Sequence, residues 1–173
     1  MIKTYDEALP KEWCDSLIQL FENAEQYHLK VDRNYKPKFT SLNVNQVAPQ
    51  YVNGLVQLTR IVYDNYKKDL DLKHLPEYKK LEEFRIKRYI AGGDERYDEH
   101  IDVSKYEFAH RCLSILFYLN DNNGGTEFPR ENIIITPKLG RVLLFPPMWM
   151  YPHIGHPPTD NVKYILSTSV QYT

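Results

Sequence analysis

The sequence predicts an α+β fold in which N-terminal helices support a jelly roll, also called a double-stranded β-helix. Two stretches with helical apolar spacing lie in the N-terminal part of the chain. From Phe84 onward, roughly eight short strands alternate with turn residues, which is typical of a sandwich or barrel. At 173 residues the chain can form one hydrophobic core. We therefore expect a single domain over 1–173, with 1–80 as mainly helical support and 81–173 as the jelly-roll core with the functional site.

The two helices are predicted from amphipathic patterns. Apolar side chains recur at helical spacing from Pro10 to Glu25 and from Tyr51 to Leu70. Pro10 suits an early helical position because its missing N–H needs no partner there. The segment Thr40 to Val47 between these helices is expected to be extended.

The strands are predicted from alternating or continuous apolar runs bounded by turn residues. Strong turns are expected at 91–94 and at 120–125, where Gly, Asn and Asp cluster. The predicted strands cover 84–89, 97–102, 112–119, 126–128, 133–135, 141–145 and 164–172.

Composition excludes several classes of protein. A formal charge of −1 gives no global field for binding nucleic acid or anionic membranes. No apolar run reaches the length of a membrane span, and the N-terminus lacks the apolar core of a secretory signal. Cys14 and Cys112 lie in dissimilar segments and are expected to be reduced, buried thiols. We therefore expect a cytoplasmic protein.

Three possible metal ligands stand out in the C-terminal half. His100 and Asp102 are two residues apart, a spacing that places both side chains on one face of a strand. With His153 from a facing strand, they could hold a ferrous ion on one side and leave three positions open. Chance alone supplies about one His-x-Asp/Glu in a chain of this composition. A surface pair of His100 and Asp102, with His153 in a loop, therefore remains an alternative.

Ordered motifs around these residues resemble a known family. Arg88-Tyr89-Ile90-Ala91-Gly92-Gly93 precedes Tyr97-Asp98-Glu99-His100-Ile101-Asp102, and a central strand follows at 111–120. Gly124-Gly125-Thr126-Glu127-Phe128 resembles a Gly-Gly-x-x-x-Phe turn. Gly140 to Pro146, His153 and Lys163-Tyr164 complete the pattern. From about Phe84 to Thr173 the chain resembles the prolyl 4-hydroxylase-like branch of the iron(II)/2-oxoglutarate-dependent dioxygenases.

The resemblance implies roles for individual residues. His100, Asp102 and His153 would be the iron ligands, with His156 as the competitor for the distal position. His153 is preferred because it lies ten residues before Lys163, and His156 is expected on the rim. Lys163 would pair with the distal carboxylate of 2-oxoglutarate.

Three further residues are assigned by the same resemblance. Tyr118 would donate its hydroxyl to the same carboxylate, and a core tyrosine is the alternative. Tyr89 matches a pocket tyrosine of the family. Arg111 would lie at the substrate entrance, and a structural salt bridge is an equal alternative. The segment Ala91 to Tyr97 could be a mobile lid or an exposed hairpin loop.

The chain also departs from the family pattern. Some relatives carry Trp where this chain has Ser169, which leaves the shape of the co-substrate end open. The basic residue is Arg in some branches and Lys here. The first 80 residues match only through a Leu-Pro-x-x-x-Cys helix start.

The implied activity is hydroxylation with Fe(II), 2-oxoglutarate and O2, giving succinate and CO2, with ascorbate as a further candidate. Peptidyl proline is the expected substrate, and another amino acid or protein side chain is the first alternative. A nucleic-acid demethylase is disfavoured by the balanced charge, and a non-catalytic jelly-roll binding module by the complete ligand set. The sequence predicts no oligomeric state.

Overall fold

The computed structural model describes residues 1–33 and 37–172. These residues form three α-helices and twelve β-strands. The helices are α1 (Lys11–Asn23), α2 (Val44–Val47) and α3 (Val52–Asp69). The strands are β1 (Lys3–Tyr5), β2 (Leu29–Asp32), β3 (Lys38–Asn43), β4 (Lys80–Leu81), β5 (Arg85–Tyr89), β6 (Tyr97–His100), β7 (Arg111–Tyr118), β8 (Thr126–Phe128), β9 (Ile133–Ile135), β10 (Val142–Phe145), β11 (His153–Gly155) and β12 (Lys163–Gln171).

The strands form two antiparallel sheets. The larger sheet has the order β1-β10-β7-β12-β5-β3-β2, with β4 paired to β12. The smaller sheet has the order β6-β11-β8-β9. Phe128 of the smaller sheet packs in one core with Tyr89 and Phe145 of the larger sheet, so the two sheets face each other. The predicted α+β jelly roll is confirmed.

The helices cover the outer face of the larger sheet. Leu17 and Phe21 of α1 and Val62 and Tyr66 of α3 are buried in the same core as Ile115 of β7. Their spacing gives each helix one apolar stripe, and that stripe is the part that packs against the sheet. Both long helices were predicted within a few residues of their observed ends.

Strand β7 separates the helix-covered core from the interior of the jelly roll. Ile115 and Phe117 belong to the helix-covered core, whereas Tyr118 belongs to the core between the sheets. Ser114 and Leu116 line a cavity on that inner side. Because side chains alternate along a strand, one run of residues supplies both the packing and the inner wall.

The N-terminal 80 residues differ from the predicted arrangement in two ways. Val44–Val47 is helical rather than extended, because Asn43 caps the turn by accepting a hydrogen bond from the Asn45 backbone N at 3.1 Å. Strands β1 and β2 were not predicted. Strand β2 lies at the sheet edge with three of its four residues exposed, so it has no clear apolar alternation.

Two other predictions concern burial and the membrane. Cys14 and Cys112 are both buried and unpaired, as expected. In the ranges 1–33 and 37–172, no helix combines the length and the apolar character needed to cross a membrane. The cytoplasmic location stays a prediction.

Candidate metal centre and co-substrate pocket

The two candidate histidine ligands lie side by side on neighbouring strands. Strand β11 pairs with β6 so that His153 is the register partner of His100, and the ring centroids are 4.2 Å apart. The expectation that His153 comes from a facing strand is therefore wrong. Adjacent antiparallel strands place paired side chains on the same face of one sheet, which brings both imidazoles to the inside of the jelly roll.

Asp102 completes the cluster from just beyond the end of β6. Its Oδ1 lies 3.7 Å from His100 Nε2 and 3.8 Å from His153 Nε2. The three candidate donor atoms all lie within 4.8 Å of one another. The described residues thus bring the predicted triad together.

Backbone carbonyls fix the orientation of both imidazoles. His100 Nδ1 lies 2.8 Å from the carbonyl oxygen of Asp98, and His153 Nδ1 lies 3.1 Å from that of Tyr151. A carbonyl only accepts, so each Nδ1 carries the proton and donates it. Each Nε2 is left with a lone pair aimed at the cluster, an arrangement typical of metal-ligating histidines.

Two residues of β7 hold Asp102, one through its carboxylate and one through its backbone. Ser114 Oγ donates a hydrogen bond to Asp102 Oδ2. Arg111 Nη1 donates to the backbone carbonyl oxygen of Asp102 at 3.0 Å. These contacts orient Oδ1 toward the histidines.

Aromatic rings enclose the imidazoles. The ring of Tyr97 stacks on His100 with centroids 3.4 Å apart and planes 7° apart. His153 is buried against Phe128 and Phe145, with ring centroids 5.7 and 4.7 Å away. These walls limit the rotation of both ligands and exclude water from one side of the cluster.

The electrostatics of the triad suit a bound cation. Burial, together with the neighbouring His153, lowers the pKa of His100 to about 4. Burial acts to raise the pKa of Asp102, but His153, His100 and the Ser114 hydroxyl outweigh it, so this pKa is lowered. His100 is therefore a neutral imidazole and Asp102 a carboxylate. Together with the Nε2 lone pair of His153 they offer the donor chemistry that suits non-haem Fe(II). These residues fit that metal.

A small cavity of about 40 Å³ adjoins the triad. Its lining includes all three candidate ligands together with Tyr89, Thr126 and Lys163. Lys163 is 1% exposed, and its Nζ lies 5.1 Å from the centroid of the Tyr89 ring. Burial, with Lys87 as a like-charged neighbour, lowers the pKa of Lys163 to about 7. A buried ammonium of this kind favours an anionic ligand.

Because Gly124 has no side chain, there is room beside it for the side chain of Lys163. A Cβ atom at residue 124 would lie 2.9 Å from the His156 carbonyl oxygen and 3.1 Å from Lys163 Cδ. Both approaches are closer than ordinary contacts. The Gly-Gly turn therefore lets the lysine pass into the cavity.

Tyr118 lies behind the small cavity, and its predicted contact with 2-oxoglutarate stays a prediction. It is fully buried, and its hydroxyl donates to Thr126 Oγ1 at 2.7 Å. Thr126 lines the small cavity, whereas Tyr118 is not part of that lining. Thr126 was not singled out from the sequence, although it follows directly after the Gly-Gly turn.

His156 is engaged away from the triad. Its Nε2 lies 2.5 Å from Glu127 Oε2, and the His156 side chain is 39% exposed. It does not belong to the cluster of three potential ligands found in the described residues. This placement agrees with the predicted rim position.

Arg111 has structural partners as well as a cavity-facing position. Its Nε donates to Glu82 Oε1 at 2.8 Å, and its guanidinium lies 4.3 Å from the centroid of the Phe108 ring. It also lines a larger cavity of about 480 Å³ that reaches Asp102. Arg111 therefore forms a salt bridge, as one sequence alternative predicted. Its position at the cavity is compatible with the other alternative, an entrance residue.

The loop Ala91 to Tyr97 is anchored to its surroundings. Gly92 N donates to the Pro158 carbonyl oxygen at 2.9 Å, and Ile90 N donates to Glu95 Oε2 at 2.8 Å. Lys38 Nζ pairs with Asp94 Oδ1 at 2.7 Å. A lid function for this loop stays a prediction.

Lys87 is a cavity residue that sequence reasoning did not single out. It lies on β5 and lines both the small cavity and the larger one. Burial lowers its pKa, while Asp102 acts to raise it. The sequence shows it only as part of the short basic run 85–88.

A family model described as the 2OG-Fe(II) oxygenase superfamily matches residues 84–170, half of the chain. The matched segment contains the whole triad and Lys163. The chain belongs to the 2OG-Fe(II) oxygenase superfamily. The oxygenase is therefore a dioxygenase-type enzyme, and membership implies Fe(II), 2-oxoglutarate and O2. The family and the enzyme class expected from the sequence are confirmed.

Solved structures with the same fold include three prolyl hydroxylases. One is a viral collagen prolyl hydroxylase from Paramecium Bursaria Chlorella virus-1, in a 2OG complex, with 18% identity and a TM-score of 0.73 over 99% of this chain and 96% of that one. Another, from Trichoplax adhaerens, is in complex with a hypoxia inducible factor peptide fragment, with 18% identity and a TM-score of 0.78 over 98% and 83%.

The third is a Pseudomonas putida prolyl-4-hydroxylase, with 17% identity and a TM-score of 0.71 over 99% of this chain and 92% of that one. At these identities the likeness establishes the fold of the oxygenase. A comparison with curated protein sequences finds no significant match.

Proposed function

We propose that this oxygenase hydroxylates prolyl residues in a peptide and converts 2-oxoglutarate to succinate and CO2. One oxygen atom of O2 enters the substrate and the other enters succinate. The observation that carries the proposal is the meeting of the triad and Lys163 in one small cavity. This places a divalent-metal donor set beside a buried cation that a dicarboxylate would neutralise.

His100, Asp102 and His153 would hold the iron. Bound iron supplies the activation of O2, which side chains do not provide. The protein keeps both imidazoles in the Nδ1-protonated form through Asp98 and Tyr151. It also keeps the carboxylate oriented, so the donor set is organised before the metal arrives.

Lys163 would bind the distal carboxylate of 2-oxoglutarate. A carboxylate beside this ammonium replaces the hydration lost on burial with an ion pair. Tyr118 acts at the same end through Thr126, whose hydroxyl accepts from the tyrosine and lines the cavity. The Tyr89 ring forms the part of the cavity wall that faces the Lys163 ammonium.

Arg111 and the loop Ala91 to Tyr97 would frame the substrate entrance. Arg111 lines the larger cavity next to Asp102, and its planar fork of donors suits a peptide carbonyl or carboxylate. The prolyl substrate is supported by the motif resemblance and by the fold shared with the viral, Trichoplax and Pseudomonas prolyl hydroxylases. Ascorbate stays a candidate reductant. We further propose that 1–173 acts as one domain, with 81–173 carrying the site.

The experiment is a substrate screen that reports succinate and product mass together. Purified protein with ferrous iron, 2-oxoglutarate and ascorbate is offered proline peptides, peptides with other target residues, free amino acids and methylated oligonucleotides. The proposal expects proline peptides to gain one oxygen atom, with one succinate formed per hydroxylation. Oxygen added to another amino acid would favour the first alternative, and demethylated oligonucleotide would overturn the peptide assignment.

A further inference from the structure

Lys87 places a second positive charge beside the candidate metal centre. Along β5 the side chains alternate, so Lys87 and Tyr89 both face the small cavity while Ile86 belongs to the helix-covered core. Lys87 is the register partner of Ile165, two residues after Lys163 on β12. The two lysines therefore project from neighbouring strands into the same interior.

In the part of the chain that the structure describes, no carboxylate forms a close ion pair with the Lys87 ammonium, although Asp102 and Glu82 attract it from a longer distance. No hydrogen bond or ion pair reaches it from residues 1–33 or 37–172, and its nearest aromatic ring is Phe39, with the centroid 5.4 Å from Nζ. The neighbouring cations already form ion pairs. Arg85 pairs with Glu83 at 2.8 Å, and Arg111 pairs with Glu82 at 2.8 Å. Lys87 is partly buried and faces a cavity without such a pair, so its charge is available to an anionic ligand.

The larger cavity is where that ligand would lie. At about 480 Å³ it falls within the usual range of ligand sites, about 300–1,000 Å³. Five basic and two acidic side chains line it, and one of the two acids is Asp102, a candidate metal ligand. Lys163 is not part of this lining. Lys87, which faces both cavities, thus marks an anion position separate from the one assigned to the co-substrate.

We propose that Lys87 binds a carboxylate carried by the peptide substrate, so that the hydroxylated residue lies beside an acidic residue. This inference rests on the proposed peptide hydroxylation and names a feature of its substrate. A carboxylate next to Lys87 would anchor the substrate close to Asp102, and so to the reacting centre. A substrate with an amide in place of this carboxylate would leave the Lys87 ammonium desolvated and without an ion-pair partner.

The test uses sets of proline peptides that differ only in the residue next to proline, which is Glu, Gln or Lys. The variants are Lys87→Met, which keeps the length and removes the charge, and Lys68→Met, a matched control on the exposed face of α3. For the wild-type oxygenase we expect kcat/KM for the Glu peptide to exceed that for the Gln peptide by about tenfold to a hundredfold. Lys87→Met should abolish this ratio without raising the 2-oxoglutarate KM, because the loss of a like charge beside Lys163 only favours the charged form of that lysine. Lys68→Met should retain the ratio.

Several results would overturn the inference. One is a wild-type enzyme that shows no preference for peptides with an acidic residue next to proline. This comparison needs no variant. Others are a Lys87→Met enzyme that loses activity equally on all three peptides, or one whose 2-oxoglutarate KM rises, since Lys87 would then serve the fold or the co-substrate. If Lys87→Met does not fold, Lys87→Gln takes its place in the same comparison.

Failure of the proposed prolyl activity is distinguishable from failure of this inference. If 2-oxoglutarate is consumed but no proline peptide is hydroxylated, N-acetyl amides of Asp and Asn become the probes. Faster 2-oxoglutarate consumption with the Asp compound than with the Asn compound, lost in Lys87→Met, would support the carboxylate site without proline. Equal rates with both compounds, or a response to oligonucleotides alone, would refute it.

Discussion

His100 and His153 are register partners on the antiparallel strands β6 and β11, with their ring centroids 4.2 Å apart. The pairing of two short strands therefore sets the distance between two candidate iron ligands. The same strands carry the carbonyls of Asp98 and, just before β11, Tyr151, which fix the imidazole tautomers. The geometry of the centre thus depends on the smaller sheet, and the carboxylate links it to β7 of the larger one through Ser114.

Arg111 contacts the candidate ligand Asp102 and also lines the larger cavity, where we propose that the substrate enters. Arg111→Met removes the hydrogen bond to the Asp102 carbonyl and the ion pair with Glu82. Loss of a group that orients a metal ligand typically weakens metal affinity by about tenfold to a hundredfold, and we expect an effect near the lower end. Hydroxylation should fall further than substrate-free 2-oxoglutarate turnover, because an entrance contact is lost as well.

The measurements for Arg111→Met are an iron or manganese titration and the two turnover rates. Unchanged metal affinity would show that the contact with Asp102 is dispensable. An equal fall in both rates would show that Arg111 has no separate role toward the substrate.

Lys163 should make co-substrate binding dependent on pH. Its pKa in the free protein is about 7, so it is charged below that pH and increasingly neutral above it. A bound dicarboxylate favours the charged form and raises this pKa, so binding above pH 7 requires proton uptake. Affinity for 2-oxoglutarate should therefore fall as pH rises above 7, by up to about tenfold per pH unit. Calorimetry of the manganese-loaded protein in buffers of different ionisation enthalpy measures both the 2-oxoglutarate affinity and the number of protons taken up on binding.

Two variants separate charge from shape at Lys163. Lys163→Arg stays protonated, so its 2-oxoglutarate affinity should not change over the same range. Lys163→Met should weaken 2-oxoglutarate binding about thirty-fold or more, the usual result of losing a buried charged hydrogen bond. Wild-type affinity in Lys163→Met would remove this residue from the co-substrate site.

Gly124 should tolerate no side chain. Gly124→Ala brings its Cβ within 3.0 Å of two backbone atoms, the His156 carbonyl oxygen and Pro158 N, and within 3.1 Å of Lys163 Cδ. Overpacking of this kind costs about 1–3 kcal/mol, or roughly 2–4 °C in Tm for each kcal/mol in a chain of this size. We expect a lower Tm and a raised 2-oxoglutarate KM, measured by thermal unfolding and steady-state kinetics.

Gly93→Ala is the matched control, because its Cβ would approach nothing closer than the Ile90 carbonyl oxygen at 3.7 Å. Its Tm should stay within about 2 °C of the wild type, since surface substitutions without special contacts change stability by at most about 0.5 kcal/mol. Equal effects of the two substitutions would show that space around Lys163 is not limiting.

The sequence predicted the candidate site residues whose type the chemistry of a metal site or an anion site requires. His100, Asp102, His153 and Lys163 were found from their spacing and motif context, and the structure places all four at one cavity. The strand arrangement behind them was only partly predicted. The sequence left both a strand and a loop open for His153, because the choice between a loop, a paired strand and a facing strand depends on contacts between distant segments.

Residues whose role depends on tertiary surroundings were not predictable. Lys87 resembles its neighbours Arg85 and Arg88 in sequence, and only the folding of β5 against β12 turns it inward. Thr126 gains its position from the buried hydroxyl of Tyr118. The edge strand β2 gives no apolar signal, because three of its four residues are exposed and no buried face selects apolar side chains.

The central claim is that His100, Asp102 and His153 form the iron site of this oxygenase. The most direct measurement is succinate formation from 2-oxoglutarate by purified protein with ferrous iron, compared among wild type, His153→Ala and His156→Ala. We predict turnover by the wild type and by His156→Ala, and loss of both turnover and metal binding in His153→Ala, with all three proteins folded. Full turnover by His153→Ala, with loss in His156→Ala, would contradict the assigned site.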